Sequence, residues 1–372
     1  MKSNYLKRIG ANLLAHPSRR KPRQHRKLCI YKADRLGDFV LALGAIRLLV
    51  NETGADKCVL IASQYGNELA ELEFPNVTKI KVSAFGGMRY GEPFASWMFV
   101  RPLLSEYFFD YMICLRHQRL SFQSLVLSWV KAPKRYGITP KNINDIERTF
   151  QCPLFTEDCV YPEIEPSGIC GEIEAHRLLL SKLFGRTVTA TEILPSFSHH
   201  YKKNSEYLLL TPFASTTLKE YSTTQVAAVV SYFFKKFRQM PVRISCGPGQ
   251  QQRAEDFIHA IKSGCDIQIG LLNTPSVESF IQAVSNAAGI LTVDSACAHI
   301  AAALDKPTVV LLGGGHYGQF GPWSRSPRQR WLTSKKSCFQ CDWKCSTAEY
   351  APCISEISPF EIAEKLMEVM LY

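Results

Sequence analysis

Leu291-Thr-Val-Asp294-Ser295-Ala296-Cys297-Ala-His299-Ile-Ala-Ala-Ala-Leu304 reads as an apolar strand that ends in Asp-Ser and passes at once into a helix of small residues. A second apolar strand, Thr308 to Leu312, follows after Lys306-Pro307. Strand, polar turn, helix and strand in that order form one unit of a parallel α/β sheet. The start of such a helix offers unpaired N–H groups and the positive end of the helix dipole, which attract a phosphate. The plainer reading is a well-capped buried helix, with His299 packed against the sheet.

Outward from that stretch the same alternation recurs. Leu28–Tyr31, Cys58–Ala62, Ile80–Val82 and Tyr111–Leu115 read as strands in the first half, with a helix over Phe39–Val50 and further helical patterns between. Residues 191–204, rich in Thr, Ser, His and Lys around Pro195, read as a linker. The pattern restarts at Tyr207–Leu210. Ser222-x-x-Gln225 is a capping box for a helix over Val226 to Phe234, Val242–Cys246 a strand and Gln250–Ile261 a helix. Thr274-Pro275 opens the next helix, and Ser358-Pro359-x-Glu361 caps a last one. With 372 residues, two domains are expected. The reading is a basic tail (1–27), an N-terminal Rossmann-like domain (28–190), the linker, a C-terminal Rossmann-like domain (205–357) and a closing helix (358–372). Two doubly wound α/β domains facing a central cleft are the expected architecture, with ligands beyond the C-terminal ends of the strands.

The net charge is +11, but residues 1–27 hold nine Lys and Arg and no acid, which leaves +2 for the rest. Leu6, Ile9, Leu13 and Leu14 share a helical face beside Lys7 and Arg8, a pattern that suits an anionic membrane surface; a solvated basic tail is the alternative. No nucleic-acid recognition motif accompanies the charge. No apolar run reaches the ~20 residues of a membrane span, and the start lacks the apolar core of a signal peptide. The expected location is the cytoplasm, peripheral on a membrane if the tail binds one.

Two further stretches carry candidate chemistry. Lys32-Ala-Asp34-Arg35-Leu36-Gly37-Asp38 follows the first strand, and Asp38 is either a helix cap or a general base. Thr211-Pro-Phe-Ala-Ser215-Thr216-Thr-Leu-Lys219-Glu220-Tyr221 follows the first strand of the second domain and offers hydroxyl, amide and ammonium donors to phosphate. Arg116, His117 and Arg119 end another strand and are candidates for an anionic acceptor, or ordinary basic residues. Gly247-Pro-Gly249 and Gly313-Gly-Gly315 lack the remaining residues of a dinucleotide fingerprint or a P-loop.

Taken in order, Arg35-Leu-Gly-Asp38-Phe-Val-Leu-Ala-Leu-Gly-Ala-Ile-Arg47, Pro212-Phe-Ala-Ser215 with Lys219-Glu-Tyr221, and Val293-Asp-Ser-Ala-Cys-Ala-His-Ile-Ala-Ala-Ala-Leu-Asp-Lys-Pro307 resemble glycosyltransferase family 9, the heptosyltransferase-like enzymes. The resemblance implies a GT-B fold. It implies an inverting, metal-independent transfer of a sugar, a heptose, from a nucleotide diphosphate to a lipopolysaccharide or related glycolipid acceptor. Asp38 corresponds to the base. Ser215, Thr216, Lys219, Asp294, Ser295, Ala296, Cys297 and His299 correspond to the donor site, and no cofactor enters catalysis. The alternative is a non-catalytic nucleotide-sugar-binding member of the family acting as a scaffold. Ala296 stands where the family usually has Gly, and Tyr221 where it commonly has Trp. Cys338, Cys341, Cys345 and Cys353 are spaced as a candidate structural zinc site or as a set of reduced thiols.

Overall fold

The computed structural model describes residues 21–82, 94–117, 121–139, 154–163, 169–199, 201, 204, 206–237, 239–262, 267–345 and 349–372. The chain divides into two compact units, residues 1–163 with 171–195, and residues 164–170 with 196–372.

The first unit holds six strands: β1 (Gln24–Lys32), β2 (Cys58–Ala62), β3 (Thr78–Lys81), β4 (Tyr107–Cys114), β5 (Lys134–Thr139) and β6 (Glu157–Val160). They form one parallel sheet in the order β3-β2-β1-β4-β5-β6. A parallel sheet is covered on both faces, so its strands read as unbroken apolar runs. Leu28–Lys32 and all of β2 are accordingly buried. The described helices are α1 (Leu36–Leu41), α2 (Leu43–Thr53), α3 (Gln64–Glu73), α4 (Phe94–Ser105), α5 (Ser121–Trp129), α6 (Gly171–Phe184) and α7 (Ala190–Ile193). Gly44 allows α2 to pass against the end of α7: a Cβ there would lie 2.1 Å from the Ile193 carbonyl oxygen.

The second unit repeats the plan. β7 (Tyr207–Thr211), β8 (Val242–Ile244), β9 (Ile269–Leu271), β10 (Ala287–Val293), β11 (Thr308–Leu311) and β12 (Gln329–Leu332) lie parallel in the order β12-β11-β10-β7-β8-β9. Its helices are α8 (Thr223–Phe234), α9 (Gln251–Lys262), α10 (Val277–Asn286), α11 (Ala296–Ala303), α12 (Pro352–Ser355) and α13 (Pro359–Met370). The strand order reverses direction between β1 and β4 in one unit and between β7 and β10 in the other. Doubly wound sheets bind ligands beyond the carboxyl ends of the strands at such reversals.

The Ser222 capping box, β2 and the helix after Asp-Ser stand as read. Several boundaries differ. The first strand starts at Gln24, pairing with Tyr107, so residues 24–27 of the expected tail belong to the sheet; residues 1–20 lie outside the described ones. The single helix expected over Phe39–Val50 is two, joined at Ala42. The helix expected at Thr274-Pro275 begins at Val277, because Ser276 makes the capping box. Ser358 makes no side-chain cap, and Pro359 alone marks that helix start. The stretch read as linker overlaps α7, which packs against α2 at Gly44 and belongs to the first unit.

Candidate functional site

Both reversal points carry a lysine beside carboxylates. In the first unit, Lys32 ends β1 with its side chain fully buried. Its ammonium donates to the Leu115 carbonyl (3.1 Å) and to Glu172 Oε1 (2.7 Å), and lies 3.3 Å from Asp34 Oδ2. Arg116, just past β4, donates to Asp34 Oδ1 and, at 3.0 Å, to the Ala33 carbonyl. The second Glu172 oxygen stands 2.8 Å from His117 Nδ1, and the His117 ring packs on Tyr161 with centroids 4.2 Å apart. One turn along α6, His176 meets the Leu115 carbonyl through Nε2 at 2.9 Å.

Asp38 lies in this charged surrounding, in the first turn of α1. The helix is capped at Arg35 without a side-chain bond, so the cap reading of Asp38 does not hold. Its carboxyl is half-buried, and no described residue hydrogen-bonds to it. Burial and then the Asp34 carboxylate push it up to about 8, against Lys32, which pulls the other way. Glu172 moves oppositely. Burial disfavours its charge, but Lys32 and His117 outweigh burial and hold it well below the usual carboxylate range. Burial and the neighbouring Lys32 charge bring His176 down to about 4, so it is neutral at pH 7. Gly37 keeps ordinary helical backbone, so no left-handed turn explains it.

In the second unit the loop after β7 brings Lys219 to the end of β10. Its ammonium donates to Asp294 Oδ2 at 2.7 Å, and its side chain retains 14% exposure. Asp294 is buried, yet Lys219 outweighs burial and, with His299 and His316, keeps the acid below its usual range. Thr211 donates to Thr292 across β7 and β10 at 2.6 Å, and Thr292 in turn meets Ser295 at 3.2 Å. Ser295 is the N-cap of α11 but supplies no side-chain cap. The first turn of an eight-residue helix therefore begins beside a lysine, with its dipole unopposed by a cap.

The structure thus brings together Lys219, Asp294, Ser295 and Ala296. It places Ser215, exposed, and Thr216, half-buried, on the loop leading to Lys219. Two expected donor residues turn inward. Cys297 is buried and bonded to Thr211 and Thr292, with its thiol pushed up to about 11 by burial. His299 is 3% exposed and accepts the Trp323 indole N–H at 3.1 Å through Nδ1; burial brings it down to about 4. Their side chains pack the helix onto the sheet, which is the plainer of the two sequence readings. Tyr221 is core as well, donating to the Ile357 carbonyl at 2.5 Å. Arg119 lies outside the described residues.

Among the described residues no group of three or more His, Cys, Asp or Glu side chains is arranged to hold a metal ion. Cys338, Cys341, Cys345 and Cys353 are near neighbours and carry free thiols. Burial, with the neighbouring cysteines, pushes the Cys345 and Cys353 thiols up. Cys353 Sγ instead accepts the Gly314 amide at 3.2 Å.

Sequence reasoning passed over Lys32, Glu172 and His176, which sit far apart in the chain or in an apolar strand where a lysine reads as an end residue. It also passed over His316 and Trp343. Trp343 lies 4.8 Å from the Lys219 ammonium, ring centroid to nitrogen, and donates its indole N–H to His316 at 3.2 Å. The Gly-Gly-Gly run after β11 was the available signal, since glycines there make room for large rings.

Residues 180–350 match Glycosyltransferase family 9 (heptosyltransferase). No curated protein sequence matches the chain. Among solved structures it is similar to a glycosyl transferase family 9 protein from Veillonella parvula DSM 2008, at 14% identity and a TM-score of 0.67, covering 95% of this chain and 99% of that one. It is also similar to the E. coli heptosyltransferase WaaC with ADP (13% identity, TM-score 0.65, 92% of this chain and 99% of that one). E. coli ADP-heptose lps heptosyltransferase II aligns at 16% identity and a TM-score of 0.64, over 93% and 98% of the two chains. Residues 180–350 thus carry the likeness to glycosyltransferase family 9 (heptosyltransferase), and the chain as a whole has the GT-B fold of these solved structures.

Proposed function

We propose that the protein moves a heptose with inversion from a nucleoside-diphosphate donor to a lipopolysaccharide or related glycolipid acceptor. The observation that carries this reading is the Asp38 carboxyl, half-buried, without a hydrogen-bond donor among the described residues and pushed up to about 8. An inverting transfer is a displacement at the anomeric carbon, in which the acceptor hydroxyl loses its proton as it attacks. A carboxylate with a pKa near the working pH is a strong enough base to take that proton and is still ionised in a useful fraction. Asp38 is the proposed base.

The leaving diphosphate gathers negative charge. Lys219 and the first amides of α11 are the proposed partners of that charge, in the role that a metal ion fills in other transferases. Asp294 holds Lys219 in place until the phosphate arrives, and Ser295 adds a hydroxyl beside the amides. The structural neighbours solved with ADP support an adenine nucleotide as the donor carrier. The basic residues ahead of β1 are the proposed surface for docking at an anionic membrane; no helix among the described residues is long and apolar enough to cross one.

Thermal-shift titration with ADP-, GDP- and UDP-sugars tests the donor assignment. An ADP-sugar is expected to raise the melting temperature of the wild type and to raise that of Lys219→Ala far less. Equal shifts in the two proteins would remove Lys219 from the donor site.

A further inference from the structure

The segment between Cys338 and Cys345 was read from sequence as a candidate metal loop, yet its Trp343 stands beside the lysine of the proposed donor site. Trp343 stands over the Lys219 ammonium at 4.8 Å, within the range of a cation–π interaction. The same ammonium donates to Asp294 Oδ2 at 2.7 Å. The indole is itself fixed. Its N–H donates to His316 Nδ1 at 3.2 Å, and His316 Nε2 lies 2.8 Å from Asp342 Oδ1. A Cβ on Gly313 or Gly315 would come within 2.3 or 2.4 Å of the ring, so only glycine leaves room for it.

The backbone of the loop is held in an unusual shape. Gln340, Asp342 and Trp343 all have left-handed φ values, 65°, 53° and 58°. Such conformations are uncommon for side chains other than glycine and persist where neighbours enforce them. Here the Gln340 amide donates to the Gly314 carbonyl at 2.7 Å and the Asp342 amide to the Gly315 carbonyl at 3.1 Å.

We propose that Trp343 is a positioning residue of the donor site, a rigid aromatic plate that presents the Lys219 ammonium to the diphosphate. This rests on the reading of Lys219 as a diphosphate partner. It gives the cysteine-rich loop a task that needs no metal ion: it is the arm on which the plate is mounted. It also explains the glycine run after β11, which has no phosphate-loop lysine of its own.

The test is calorimetric titration of the full chain with ADP, GDP and UDP, carrying forward whichever the wild type binds. Trp343→Leu is expected to weaken binding about three- to tenfold, the size of a partly exposed cation–π contact. Trp343→Phe, which keeps a ring, is expected to restore at least half of that loss. In a Lys219→Ala background, Trp343→Leu is expected to change nothing further, because its effect passes through the ammonium. Undiminished binding by Trp343→Leu alone would overturn the proposal and leave the Lys219 reading intact. A loss that persists in full without Lys219 would show general loosening of the loop and overturn it equally. Failure of Lys219→Ala to weaken binding, or of the wild type to bind any of the three, would overturn the Lys219 reading first and this inference with it.

Discussion

Two sheets with the same topology each carry a lysine at the reversal of strand order, Lys32 at the end of β1 and Lys219 on the loop after β7, and the two stand in opposite surroundings. Lys32 is fully buried, and its donors are taken by Leu115, Glu172 and Asp34. Lys219 keeps one edge in solvent and has one carboxylate partner and an aromatic ring. A buried, paired charge cannot turn to a ligand, because removing its partner strands it in a low-dielectric interior. A partly exposed one can exchange a carboxylate for a phosphate. The first lysine therefore contributes to the field around Asp38, whereas the second keeps the exposure that its proposed role as a diphosphate partner requires.

The sharpest way to break this contrast is the rate of transfer by Asp38→Asn. We expect a fall of about 10²–10⁴-fold with folding stability unchanged or improved, because the half-buried carboxyl pays a desolvation penalty in the native state. Denaturant unfolding beside a turnover assay checks both halves. Next come the partners of the two lysines. Glu172→Gln should lose about 3–5 kcal/mol, the usual effect of breaking a buried pair. Asp294→Asn should lose less, about 1–2 kcal/mol, since Lys219 can reach water. Equal losses in urea titrations would erase the distinction.

Acid sharpens the comparison further. His176 and His299 are held neutral by burial down to about pH 4, one in each unit, whereas exposed histidine titrates near 6.5. The unfolded chain takes up these protons first as pH falls. Stability is therefore full above 6.5 and declines as pH drops toward 4. Replacing either histidine with a neutral side chain should flatten part of that decline in pH-dependent melts. The smallest expected effect is on the rate profile. Transfer should rise with pH toward about 8 as Asp38 ionises, and a flat profile from pH 6 to 8 would count against it.

The fold was legible because both units announce themselves in unbroken apolar runs, such as Cys58–Ala62 and Leu291–Val293, followed by short polar turns. Asp38, Lys219 and Asp294 stood out as candidates because each follows a strand within a few residues. Lys32 and Glu172 were not: their chemistry depends on a contact across 140 positions that no local pattern encodes. The burial of the His299 and Cys297 side chains was not legible, for a physical reason. A helix of small residues packs tightly on its sheet, so side chains on its inner face are spent on packing, and only its first amides remain for a ligand.

The most direct test of the central claim is to compare nucleotide binding and sugar transfer in one variant, Asp38→Asn, with a glycolipid extract as acceptor. The account predicts nucleoside-diphosphate affinity within about twofold of wild type and release of the nucleotide from its sugar slowed at least about a hundredfold. Turnover equal to wild type would contradict the assignment of the base and the transfer mechanism built on it.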